Sequence, residues 1–122
     1  MDDLRQLRDA LLDVHRELLA AQREAIETVQ GRMSNADLLQ AAVAGDLRLE
    51  WLRPLLTLAA DIDGHLADPG QESQAPLFHT RARELVVPPD PDTEFGRRYL
   101  HALQHQPGVV MAHGRLTALL RD

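Results

Sequence analysis

The sequence predicts an all-α fold, a single-domain and mostly antiparallel bundle of four to six helices. Apolar residues recur at spacings of three and four along several segments, which is the period of a helix with one buried face. The alternating pattern of a strand does not occur, and aromatic residues make up only 3% of the chain. A length of 122 residues suits one compact core, so we predict one domain over residues 1–122.

The first predicted element is a long amphipathic helix. Its apolar residues alternate at spacings of three and four, so they form one stripe along the helix. The stripe consists of Leu4, Leu7, Leu11, Val14, Leu18, Ala21 and Ala25. A second row, made of Leu12, Leu19 and Ile26, lies beside it and predicts contacts with two neighbouring elements. Gly31 ends the helix as a left-handed C-cap.

A short second helix is predicted from Asn35 to Ala44. Ser34 is a favourable N-cap residue, and Asp37 places an acid in the first turn, where it complements the helix dipole. Gly45 ends this helix.

A third segment with a helical period runs from Asp46, which caps it, to about Leu66. Pro54 interrupts the segment because proline lacks a backbone N–H and crowds the preceding turn. Two outcomes fit the sequence: a kink at Pro54, or a helix that ends near Arg53 and restarts with Pro54 in its first turn.

Two proline-containing loops are predicted in the second half of the chain, at residues 68–76 and 88–92. Between them, residues Leu77 to Val87 form a short helix.

Two helices are predicted after the second loop. Thr93 or Asp92 caps a helix that continues to Gln106, and Pro107 suits the first turn of a last helix. We expect the N-terminal helix to pack between the Trp51 to Leu66 segment and this C-terminal pair.

The composition excludes several kinds of chemistry. The chain has no cysteine, which excludes disulfides, thiolate nucleophiles and cysteine-ligated metal sites. All 13 basic residues are arginine, so lysine Schiff-base chemistry and a P-loop lysine are excluded as well. The two serines, Ser34 and Ser73, lie in no nucleophile motif. We therefore predict no catalytic residue and no cofactor.

Charge and hydropathy indicate where the protein works. The formal net charge is -6, which repels phosphate backbones and predicts no nucleic-acid partner. The longest uncharged apolar run, Leu55 to Ala60, is too short to span a bilayer, and the N-terminus is acidic. We predict a cytoplasmic protein with no membrane partner.

Four of the six histidines are candidate metal ligands. His101 and His105 are four residues apart, so they point the same way from one helix, but on a face that we expect to be solvated. His15 and His113 lie among apolar residues of their helices and are expected to point inward. No glutamate is followed by a histidine three residues later, which excludes the carboxylate-bridged di-iron motif.

Three short patterns carry a resemblance over most of the chain: D46-x4-W51-L-R-P-L, D61-I-D63 and P107-x-V-V-x-A112-H113. Together they resemble a family of small, uncharacterised bacterial all-helical proteins with no assigned activity. The resemblance implies a helical bundle and supplies no catalytic residue.

We predict a non-enzymatic protein that interacts with another protein or forms a homodimer. The long stripe offers more apolar surface than a small bundle covers, so we assign the interface to its first five members. They are Leu4, Leu7, Leu11, Val14 and Leu18. The alternative is a bundle, enzymatic or not, that binds a metal or a small ligand in a pocket near His15 and His113. Arg16, Arg48 or Tyr99 would then make second contacts.

Overall fold

The computed structural model of the chain describes residues 2–43, 47–68 and 75–121. Along these residues the helices are α1 (Asp2–Gln30), α2 (Asn35–Val43), α3 (Leu47–Glu50), α4 (Arg53–Leu66), α5 (Ala75–Val86), α6 (Glu94–His105) and α7 (Pro107–Leu120). Helix α3 is a single turn, and none of the described residues lies in a β-strand. The predicted all-α fold is confirmed, with six longer helices and one short connecting turn.

Helix α1 is the central element of the bundle. It packs against α4 on one side and α7 on the other, which confirms the predicted arrangement. Helices α1 and α4 are antiparallel, because Arg8 pairs with Asp63 at one end (2.8 Å) and the Trp51 indole N–H donates to Gln22 Oε1 at the other (3.2 Å). These two contacts fix the register of the pair.

The stripe of α1 that the sequence assigned to an interface lies in the core of the single chain. Its five members, Leu4, Leu7, Leu11, Val14 and Leu18, are at most 2% exposed. The assignment was wrong because α4 and α7 together cover the stripe, so no surplus apolar surface remains there. Part of the second row stays at the surface instead, with Leu12 39% exposed.

The connection between α1 and α2 is held by specific hydrogen bonds. Gly31 has a φ of 93°, the left-handed conformation expected of a glycine C-cap. The Asp37 N–H donates to Ser34 Oγ (3.0 Å) and the Ser34 N–H to Asp37 Oδ2 (3.2 Å), so the predicted N-cap is confirmed. Residues 44–46, which include the predicted end of α2 and the Asp46 cap, lie outside the described residues.

Pro54 divides the third predicted segment into two helices. Helix α3 ends at Glu50, and α4 starts at Arg53 with Pro54 in its first turn, where the missing N–H breaks no helical hydrogen bond. Between them the Leu52 N–H donates to the Leu49 carbonyl (3.1 Å). Of the two outcomes left open by the sequence, the chain adopts the second.

The proline-containing connections are where predicted, with one change. Residues 88–92 are non-helical, but Ala75 and Pro76 belong to α5 and not to the predicted loop 68–76. Proline is favourable in a first helical turn, which explains the earlier start. Residues 69–74 of that loop lie outside the described residues.

The last two helices begin at the predicted residues. Thr93 caps α6, because its hydroxyl accepts the Gly96 N–H at 2.9 Å, and Pro107 is in the first turn of α7. None of the described helices has the length and apolarity needed to cross a bilayer.

Candidate functional site

A mostly apolar groove runs along the surface between α1 and α4, and we call it the α1–α4 groove. It has a volume of about 350 Å³. Its lining includes His15, Leu19, Leu49, Leu52, Leu56 and Ala60. Leu52, which directly precedes α4, is buried in the core, whereas Leu56 and Ala60 lie four residues apart on one exposed face of α4.

Leu56 gives the groove an exposed apolar rim, and Leu12 extends that rim along α1. Leu56 is 44% exposed, and Leu12, one turn before His15 on the same face of α1, is 39% exposed. Isolated exposed leucines are common on protein surfaces, but leucines beside an apolar groove favour a binding surface.

His15 lies half-buried on the α1 side of this groove. Burial lowers the pKa of its imidazole, because the charged form loses more hydration free energy on burial than the neutral form does. The imidazole is therefore neutral at physiological pH and is compatible with an apolar partner.

His113 is bonded to Tyr99 between α7 and α6. The Tyr99 hydroxyl is 2.8 Å from His113 Nδ1, and the two rings meet edge to face. Burial raises the pKa of Tyr99 and lowers that of His113, so the phenol keeps its proton, the imidazole is neutral, and one hydrogen bond joins the two uncharged groups. The pair satisfies the one polar group of a buried tyrosine, which is a structural role.

The structure does not bring His15 and His113 together. His15 faces α4, whereas α7 meets the opposite flank of α1, where Glu17 lies against Gly108. The predicted shared pocket is therefore absent from the described part of the chain. The sequence could not show this, because a helical wheel does not tell which neighbour covers each flank.

The proposed second contacts of that pocket separate too. Tyr99 does contact His113, but Arg16 is exposed and pairs with Asp13 at 3.1 Å. The Arg48 side chain lies outside the described residues.

His101 and His105 are exposed on α6, as predicted. Their rings stack at 4.2 Å, and His105 Nδ1 is 2.8 Å from the His101 carbonyl oxygen, to which it donates. Zinc sites in proteins use three or four protein ligands. Among the described residues, no group of three or more His, Asp or Glu side chains is arranged to hold a metal ion. The two histidines are therefore a surface pair with one ring nitrogen already bonded to the backbone.

A second cleft, the α1–α6 cleft, opens on another flank of α1. Its floor contains Ala21 and Ala25 of α1 and Ala102 of α6, with Trp51 at one side. Its rim includes Arg97, Arg98 and His101, and its volume is about 320 Å³. Three alanines at facing positions leave this space open between the helices.

A third and larger cleft of about 610 Å³ lies between α4, α5 and α6. Its charged side chains are largely paired with other side chains. Arg53 binds Glu50 at 3.0 Å and Arg81 binds Asp61 at 2.8 Å. These pairs give the cleft a polar wall with little unbalanced charge.

Two parts of this surface were missed by the sequence predictions. Leu56 could have been recognised from the sequence, because it is apolar but lies outside the stripe that α4 buries. The cluster of Arg97 and Arg98 could also have been recognised, because the two arginines lie one turn before His101. That Ala21 and Ala25 face these arginines could only be found from the packed structure.

The fold and these clefts define a small all-α bundle protein with several surface grooves. No protein-family model, curated protein or solved structure matches the chain. The resemblance to small bacterial helical proteins therefore stays a prediction.

Proposed function

We propose that the protein is a non-enzymatic interaction protein that associates with a second copy of itself through the α1–α4 groove. The observation that supports the proposal is the apolar lining of this groove, with Leu56 left 44% exposed on its rim. The site of association thus moves from the buried stripe of α1 to the neighbouring flank. We place this association in the bacterial cytoplasm, in accord with the composition.

The charges at the two ends of the groove favour a second copy as the partner. One turn beyond Ala60 of the groove, Asp63 pairs with Arg8, which also pairs with Asp9, so these three side chains carry one excess negative charge. The other end has the pair formed by Arg53 and Glu50 (3.0 Å), in which the Arg53 side chain is 70% exposed. A two-fold axis across the groove would place Arg53 of each copy beside Asp63 of the other, so the surface is complementary to itself.

The proposed interface is small, so we expect a weak dimer. Stable interfaces bury about 800 Å² per partner, more than one groove of this size supplies alone. We expect a dissociation constant in the micromolar range, about 1–100 μM.

Leu56→Glu tests the proposal without disturbing the core. Covering the exposed 44% of Leu56 contributes about 1 kcal/mol per copy, hence about 2 kcal/mol in a two-fold pair. A glutamate there would also have to lose its water on association. We expect the dissociation constant to rise at least ~30-fold. Sedimentation velocity over a concentration series, with native mass spectrometry of untagged protein, measures it.

Met111→Glu is the matched control, since Met111 is 64% exposed on α7, away from the groove. It should leave the dissociation constant unchanged, and circular dichroism should show that both variants keep their helix content. A wild-type protein that stays monomeric at high micromolar concentration would contradict the proposal. So would a Leu56→Glu variant that dimerises as well as the wild type.

A further inference from the structure

Two arginines, Arg97 and Arg98, line the α1–α6 cleft in a chain whose formal net charge is -6. Arg97, Arg98 and His101 line it, and none of the described lining residues is acidic. A low-dielectric cleft with charges of one sign attracts an ion of the opposite sign. The cleft is therefore suited to an anion although the protein as a whole is acidic.

Arg97 has most of its hydrogen-bonding capacity free. Its Nη1 lies 3.4 Å from the Asp92 carbonyl oxygen, a long contact, and within the described part of the chain no carboxylate pairs with it. Arg98, by contrast, lies 3.4 Å from Glu94 and stands over the Trp51 ring. A guanidinium presents five N–H donors in a planar fork that matches carboxylate and phosphate oxygens. Arg97 is thus the group that a bound anion would contact.

The floor of the cleft is suited to an apolar chain. Ala21, Ala25 and Ala102 present methyl groups, and the Trp51 side chain forms one wall. The Gln22 amide oxygen already accepts the Trp51 indole N–H, so its NH₂ group remains as a donor at the edge. A volume of about 320 Å³ is at the lower end of the range of small-molecule sites, about 300–1,000 Å³.

We propose that the α1–α6 cleft binds an amphipathic organic anion, a short apolar chain with a carboxylate or phosphate head group held by Arg97. The apolar chain lies along the alanines, and the head group lies at the rim beside Arg97 and Arg98. This site is on a different flank of α1 from the α1–α4 groove, so it does not depend on self-association.

Titration of ¹⁵N-labelled protein tests the proposal, with amide chemical shifts as the readout. The probes are sodium hexanoate, hexyl phosphate and hexylammonium chloride, which share one apolar chain and differ in the head group. We expect saturable shifts at Ala21–Ala25 and Arg97–Ala102 with one or both anions and none there with hexylammonium. Which anion binds more tightly identifies the head group. Absence of saturable shifts with both anions, or equal binding of hexylammonium, would overturn the proposal.

Two variants separate binding by the cleft from binding by the whole surface. Arg97→Gln should weaken anion binding about tenfold, because it removes a charge-assisted hydrogen-bond donor. Arg115→Gln, an exposed arginine of α7, is the matched control and should bind like the wild type. Ala25→Leu fills the cleft from an exposed helix position, so it should abolish binding while circular dichroism stays unchanged. Wild-type affinity in both Arg97→Gln and Ala25→Leu would refute the assigned site.

Discussion

Replacing Gly96 by alanine is expected to destabilise the protein, whereas the same replacement at Gly114 is expected to stabilise it. Gly96 is the third residue of α6, and it packs against Asp90 of the 88–92 loop. A Cβ atom built on it would lie 1.8 Å from the Asp90 carbonyl oxygen and 2.5 Å from its carbon. Because real Cβ contacts are almost never shorter than 3.0 Å, the oxygen would have to move by about 1.2 Å.

The Asp90 carbonyl oxygen cannot move without cost. It accepts the Thr93 N–H at 3.1 Å and the Thr93 hydroxyl at 2.9 Å, and that same hydroxyl caps α6. Each lost hydrogen bond costs about 1 kcal/mol, and overpacking adds about 1–3 kcal/mol. The gain in helix propensity from glycine to alanine returns only about 0.5–1 kcal/mol. We therefore expect Gly96→Ala to lower the free energy of unfolding by about 2–4 kcal/mol.

Gly114 provides the matched comparison. Its Cβ would meet no atom within 4 Å in the described structure, and it lies inside α7, so Gly114→Ala should raise the free energy of unfolding by about 0.5–1 kcal/mol. Urea unfolding followed by far-UV circular dichroism measures both variants. The reasoning fails if Gly96→Ala is as stable as the wild type, or if both replacements change stability in the same direction.

Three further outcomes are expected. Leu18→Ala should cost about 3–5 kcal/mol of unfolding free energy in urea, because Leu18 is fully buried, and Leu12→Ala much less, because Leu12 is 39% exposed. Equal losses would refute the core position of the stripe. Tyr99→Phe should cost about 1 kcal/mol by removing the hydrogen bond to His113, and an unchanged thermal midpoint would contradict it. Burial lowers the pKa of His15 and His113 below 6.5, so the unfolded chain binds more protons and stability falls as pH drops below about 6.5. Urea midpoints at several pH values should show this fall, and His15→Leu should reduce its slope, so an unchanged slope would count against His15.

The ends of the helices could be predicted from sequence because they depend on interactions within a few residues. Gly31, Ser34, Thr93 and Pro107 each act through a local backbone preference or a short hydrogen bond, and each is where the sequence indicated. Pro54 was ambiguous because a kinked helix and a broken one both accommodate the missing N–H. The local sequence does not decide between the two, and the structure shows the broken form.

The position of the site could not be predicted for a related reason. The period of α1 showed that Leu18 and Leu12 lie on adjacent rows, but not that two helices cover the first row and leave part of the second exposed. The same limit applies to His15 and His113. The prediction that they point inward holds in part, since both are half-buried, but the residues that surround each of them were not predicted. Which residues meet across helices is decided by tertiary packing, so the sequence predicted that α1 lies between α4 and the C-terminal helices but not which side chains meet there.

Trp51 lies at the wall shared by the α1–α6 cleft and the larger cleft beside α5, and the chain has no other tryptophan. The tryptophan fluorescence of the protein therefore comes from one residue, which is 6% exposed and whose indole N–H donates to Gln22. Anions that enter the α1–α6 cleft would alter the emission, whereas association through the α1–α4 groove would leave the indole untouched. A change in tryptophan emission would therefore report anion binding in the α1–α6 cleft and not self-association through the α1–α4 groove.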